Sequence, residues 1–154
     1  MSSTALRAAV LGAATGGRSM TGLSAVALTT PPGTRPTWVA RLGGPWGRRV
    51  TAMAAAGEML ADKTPRVPSR LAPPVLAERI IMGVVSAAAL ARRDGVRPAL
   101  PVVFAVAAVV GASLAGVRWR TYAQRRGWGM AGAVAEDVLT VGLAAAACTL
   151  GRRR

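Results

Sequence analysis

Four apolar stretches, each closed by arginine, proline or glycine, set the rhythm of this chain. The cleanest is Pro98–Val117, PALPVVFAVAAVVGASLAGV, 20 residues without a charge. As a helix it has the length needed to cross the hydrocarbon core of a bilayer. Arg118 ends it, and Trp119, Tyr122 and Trp128 cluster in the connection beyond, as interfacial anchors do. A further stretch runs from about Gly129 to Leu150; Val138–Leu150 is uncharged, and Glu136 and Asp137 lie in the first half. Another covers about Pro74 to Ala91, with Glu78 and Arg79 near its start. The earliest runs from about Thr4 to Leu28, interrupted at its middle by Arg18 and closed by Pro31 and Pro32. None alternates with the period of a strand, and their lengths predict helices.

Between Thr29 and Pro73 the pattern changes. Residues 31–49 are rich in Pro, Gly and Arg and contain Trp38 and Trp46, which predicts an interfacial loop. Val50–Asp62, VTAMAAAGEMLAD, is helical in composition but only 13 residues long. It is too short to cross unless its neighbours extend it, so a half-helix or re-entrant segment stays open. The following KTPRVPSRLAPP cannot be helical throughout, because proline lacks the amide hydrogen and clashes with the preceding turn. A signal peptide at the start is disfavoured, since Arg18 splits the apolar run and AVAL is only a passing match to a cleavage site. The expected architecture is all-α. It is a single integral membrane domain over residues 1–154, a polytopic transmembrane bundle of four to five helices, one of them short or re-entrant.

Composition supports this. Apolar residues make up 52% of the 154 residues and charged ones 17%, below the quarter usual in soluble domains. Aromatics reach only 4%, so a water-soluble core would lack large side chains. Membrane helices tolerate that, because small residues let backbones approach closely. The net charge of +14 raises nucleic acid as a partner, but the arginines do not line one face with stacking aromatics. They sit in clusters between apolar blocks, as at Arg92-Arg93, Arg125-Arg126 and Arg152-Arg153-Arg154, which is how membrane proteins punctuate helices. The expected partner is the lipid bilayer, with a homo-oligomer as an additional expectation and nucleic acid excluded.

The chain has no histidine, which removes His-based triads and the usual proton shuttle. Cys148 is the single cysteine, so no intramolecular disulfide forms. No enzyme constellation and no cofactor or metal site is expected. Ionisable groups at membrane depth are expensive and each needs a partner or a wet cavity. Arg18 is the first of these, Glu58 and Asp62 share a helix face at i, i+4, and Glu136 and Asp137 form the third group. The expected arrangement sets Arg18 against Glu58 or Glu136. It reads either as a polar pathway for a cation or proton, or as structural ion pairs that fix helix register. Glu78-Arg79 is expected at the interface, where Arg79 can snorkel. Gly12-x-x-x-Gly16, Gly83-x-x-x-Ala87 and Ala112-x-x-x-Gly116 are expected at close helix contacts.

A weak internal repeat relates Gly16–Thr21 to Gly116–Thr121 and Ala54–Glu58 to Gly132–Glu136. If genuine, and if 50–62 spans, it predicts helices of opposite orientation, as in inverted-repeat transporters. Charge bias does not orient five spans. One side would carry Arg7, Lys63, Arg66, Arg70, Arg79, Arg118, Arg120, Arg125 and Arg126, and the other ten arginines. Four spans would favour a cytoplasmic 29–79 loop.

The string GEMLADKTPRVPSRLAPPVLAERI at 57–80, with GGRSMTGLSAVAL at 16–28, resembles a family of bacterial integral membrane proteins, the domain-of-unknown-function family four-one-two-six. The resemblance covers nearly the whole chain. It marks Gly57, Glu58, Asp62, Lys63, Pro65, Pro68, Ser69, Arg70, Pro73 and Arg79 as motif positions. It implies a multi-pass protein of the bacterial inner membrane and no particular activity. The functional expectation is small-solute or ion transport through a polar intramembrane site. The alternative is a structural or accessory bundle, or a lipid-organising component.

Overall fold

The computed structural model describes residues 3–61 and 71–150, and these are all-helical apart from their connections. Seven helices follow in order among the described residues: α1 Ser3–Gly17, α2 Ser19–Thr29, α3 Thr37–Leu42, α4 Pro45–Ala61, α5 Pro73–Arg93, α6 Ala99–Arg125 and α7 Gly129–Thr149. Three of them, α5, α6 and α7, are long and apolar enough to cross a membrane. α5 opens with Pro73 and Pro74, whose missing amide hydrogens fall where a helix has no use for them. It closes at Gly95, which takes the left-handed φ of 71° while the Val96 amide bonds back to the Ala91 carbonyl.

The expected first span, 4–28, is not one helix. Gly16 and Gly17 weaken the end of α1, and Arg18 is extended (φ −143°, ψ 115°). The chain then turns back on itself. Gly22 of α2 lies against Thr15 and the Leu11 carbonyl of α1, so sequence numbers rise on one helix as they fall on the other. Thr29, at the end of α2, accepts a bond from Arg93 (2.8 Å). Arg7, near the start of α1, is ion-paired with the adjoining Asp94 (2.6 Å). Both open ends of the pair therefore sit beside the end of α5. Residues 3–29 form a helical hairpin with Arg18 at its tip rather than one continuous helix.

Glycines decide how the hairpin docks. Gly12 lies on the Ala105 backbone and Gly16 on Val109, Ala112 and Ser113, so α1 and α6 run side by side in the same direction. Gly83 of α5 packs on the Val109 side chain, and Gly17 on Thr140 of α7. Gly12, Gly16, Gly83 and Ala112 thus lie at close helix contacts as expected, and a Cβ at Gly12 would stand 2.7 Å from the Ala105 Cα. The parallel course of α1 and α6, and the unbroken passage of α6 through Arg118, also contradict an inverted relation between Gly16–Thr21 and Gly116–Thr121.

The expected loop 31–49 contains α3 and the start of α4. α4 reaches back to Pro45, longer than the expected 50–62 helix. It begins beside the end of α2, where Gly43 meets Thr30 and Arg48 donates to the Thr30 carbonyl (2.8 Å). It then runs antiparallel to α2 toward the hairpin tip. The buried core is built from small aliphatics, among them Ala8, Leu11, Ala14, Val26, Ala87, Leu90 and Ala105.

Candidate functional site at the hairpin tip

Two helix ends meet at Arg18, and each has backbone groups that the other cannot satisfy. On α1 the Gly16 carbonyl accepts from the Arg79 guanidinium (2.6 Å) and from Ser113 Oγ (3.3 Å). On α2 the free amides of Ser19 and Met20 donate to the two carboxylate oxygens of Glu58, at 2.8 and 2.9 Å. Glu58 thus caps α2 from a different helix, in the role that Ser, Thr or Asp usually fills from the adjacent position. Its negative charge also suits the positive end of the helix dipole. Arg79 approaches the same carboxylate at 3.6 Å, and Ser19 Oγ donates to Glu78 at 3.0 Å.

The tip residue is itself held. Arg18 is 1% exposed, and its Nε and terminal nitrogen donate to Asp137 Oδ1 at 2.8 and 2.5 Å. Beside this pair, Arg120 of α6 meets Glu136 of α7 at 3.3 Å. Thr140 ties the α7 backbone by donating to the Glu136 and Asp137 carbonyls. Four helices and the hairpin tip therefore contribute Arg18, Glu58, Glu78, Arg79, Arg120, Glu136 and Asp137 to one charged region.

This corrects the expected pairing. Arg18 binds Asp137, while Glu58 serves α2 and Arg79, and Glu136 serves Arg120. Arg79 does not snorkel outward; it is buried and points at the α1 terminus. Glu78, its neighbour, is exposed. Of the motif positions, Glu58 and Arg79 come together at the tip, Pro73 starts α5, and Gly57 faces open space on α4. Asp62, Lys63, Pro65, Pro68, Ser69 and Arg70 lie outside the described residues. No group of three metal-ligating side chains occurs among the described residues.

Sequence reasoning missed a further cluster at the open end of the hairpin. Arg7 Nε donates to the Ala147 carbonyl (2.7 Å) and Arg93 to the Cys148 carbonyl (3.3 Å). Asp94 accepts from Arg7 and Arg93. These arginines satisfy the last carbonyls of α7, where cations are favoured. The signal was present as an acid between Arg93 and Gly95, at a helix end.

A cavity of about 440 Å3 opens between α1, α6 and α7 below the Arg120–Glu136 pair. Gly17, Thr140 and Glu136 lie buried at its back, Trp119 forms one wall, and the exposed Ala115, Ala135 and Leu139 its mouth. Trp119 Nε1 donates to the Gly132 carbonyl (3.0 Å), which fixes the indole there.

The fold and tip define an all-helical class with three candidate membrane-spanning helices packed around a buried hairpin. No protein-family model, curated protein or solved structure matches the chain.

Proposed function

We infer that this chain is a multi-pass membrane protein with a re-entrant helical hairpin, and that its tip forms a polar site for a small cation or proton to pass. The observation that carries this reading is the backbone break at Arg18. Non-helical backbone at membrane depth is tolerated only where protein buries it or it lines a wet cavity. In transporters, facing half-helix ends of this kind surround the transported solute.

The depth of the tip supports the reading. Ser113 of α6 touches Gly16 and lies 14 residues beyond Ala99, so the tip reaches about 21 Å along α6 at 1.5 Å per residue. That level falls within the uncharged stretch that ends before Arg118. Arg18 and Arg79 meet Asp137 and Glu58 at the tip, and those two carboxylates are the groups a cation or proton would use. The bacterial inner membrane and the domain-of-unknown-function family belong to this same reading, on the resemblance at residues 57–80.

Orientation follows from the hairpin. Arg7, Arg35, Arg41, Arg48, Arg49, Arg92, Arg93 and Arg97 gather at its open end, and Arg118, Arg120, Arg125 and Arg126 at the opposite one. Lys63, Arg66 and Arg70 lie outside the described residues and are not counted. Among the described residues, the excess favours a cytoplasmic open end.

A structural or accessory role is the second reading, favoured because Glu58 and Asp137 are bonded to the groups that hold the hairpin shut. Reconstitution separates the two. Glu58→Gln keeps the shape and one of the two acceptor oxygens, but removes the charge. Under the transport reading, proton or alkali-cation flux into vesicles falls at least tenfold while the protein stays monodisperse. Unchanged flux, or no flux from the parent protein, rejects transport and leaves the structural role.

A further inference from the structure

The 440 Å3 cavity and the charges above it point to a ligand that the permeation reading does not use. Its mouth, at Ala115, Ala135 and Leu139, faces outward between α6 and α7, and its walls are almost wholly aliphatic. In a bilayer such a groove faces hydrocarbon. Leaving it empty forfeits the dispersion contacts of every lining atom, and water gains too few polar partners there. Its lining runs from Ala112 to Trp119 along α6, about 10 Å at 1.5 Å per residue, a slot that suits part of one acyl chain.

The upper end of the groove is polar. The Arg120–Glu136 pair stands at the border, because Glu136 lines the apolar cavity and Arg120 lines a second pocket of about 220 Å3 with Gln124 and Gly132. Arg118 and Arg125 are exposed on the same helix, and Arg126 is exposed at its C-cap. Arg126 stacks over Tyr122 at 5.4 Å, and Tyr122 meets Trp119 and Trp128 at 6.1 and 6.2 Å between ring centroids. Aromatic rings of this kind settle at headgroup level. The order from the bottom of the groove upward is therefore aliphatic floor, indole, guanidinium and a surplus of positive charge. That is the order of an acyl chain, its glycerol region and an anionic phosphate.

We propose that the α1–α6–α7 groove binds one anionic glycerophospholipid, its chain in the apolar cavity and its phosphate at the headgroup-level end of α6, where Arg118, Arg125 and Arg126 are exposed. The inference rests on the membrane reading of the chain but not on transport: it shares the Arg120–Glu136 pair with the tip and uses neither Glu58 nor Asp137.

The full chain is reconstituted into nanodiscs holding equal amounts of phosphatidylglycerol and phosphatidylcholine with identical chains. It is then extracted in mild detergent and weighed by native mass spectrometry. One phospholipid is retained, with phosphatidylglycerol preferred about tenfold. Ala115→Leu with Ala135→Leu fills the mouth and lowers the retained fraction about tenfold. Arg118→Gln with Arg125→Gln and Arg126→Gln keeps retention but brings the preference near unity. A parent protein that retains no lipid, or retains it in the nanodisc ratio, overturns the proposal, as does full retention in the filled variant. The arginine variant changes only exposed positions, so its arm decides the matter if the filled variant fails to fold.

Discussion

Asp137 is the partner on which the hairpin tip most depends, and its loss can be worked through. Arg18 is 1% exposed, and the Asp137 side chain 14%. Two of the Arg18 N–H groups converge on a single carboxylate oxygen at 2.8 and 2.5 Å. Breaking a buried ion pair from one side costs about 3–5 kcal/mol, because the remaining charge stays desolvated. Asn at 137 keeps one acceptor oxygen, which recovers about 1 kcal/mol as a neutral hydrogen bond. Asp137→Asn is therefore expected to destabilise by about 2–4 kcal/mol. For a chain of this length that lowers Tm by about 5–15 °C in detergent.

The double variant Arg18→Met with Asp137→Leu removes both charges and leaves a hydrocarbon contact. It should lie within about 1.5 kcal/mol of the parent, since apolar replacements of a buried pair are often neutral. Reversible unfolding in mixed micelles, run as a double-mutant cycle, gives the coupling directly. A coupling above about 1 kcal/mol is expected for groups in contact. Additive losses, or an Asp137→Asn shift within about 0.5 kcal/mol, would mean that water reaches the pair and screens it as on a surface. The tip would then not be buried, and the case for a desolvated site would fall with it.

Gly12→Ala should push α1 away from α6, because its Cβ would stand 2.7 Å from the Ala105 Cα and backbone cannot yield. The expected cost is about 1–3 kcal/mol by thermal denaturation, whereas Gly111→Ala meets nothing within 4 Å and should be neutral or slightly stabilising. Equal effects at the two glycines would remove the packing argument. The hairpin is tested by labelling single cysteines at Ser3, Arg35 and Gln124 in a Cys148→Ser background. Ser3 and Arg35 should react from one side of the membrane and Gln124 from the other. Reaction of Ser3 and Arg35 from opposite sides would restore a single span over 4–28.

Much of the helical content was legible because it follows from local rules. Twenty uncharged residues from Pro98 to Val117, bounded by Arg118 and the Trp119/Tyr122/Trp128 group, admit one reading. Gly95 and the Pro73-Pro74 pair mark the ends of α5 by backbone preference alone. Arg18, Glu58, Glu136 and Asp137 were recognisable too, since charge within apolar sequence needs a partner whatever the fold.

Their partners were not legible, because pairing is fixed by helix packing between residues as far apart as Arg18 and Asp137. The same limit hid the hairpin. Gly16-Gly17-Arg18 permits either a kinked span or a full reversal, and the local energies of the two differ little. Reversal prevails through contacts that hydropathy does not register: Glu58 on the α2 amides, Arg79 on the Gly16 carbonyl, and Gly22 against Thr15. The sequence by itself determined the long apolar helices α5, α6 and α7 and marked Arg18 and Glu136 as charges in need of partners, because propensity and desolvation act residue by residue. Only the tertiary structure decided which way the first helix pair runs and which acid each arginine meets, because those depend on surfaces brought together from distant parts of the chain.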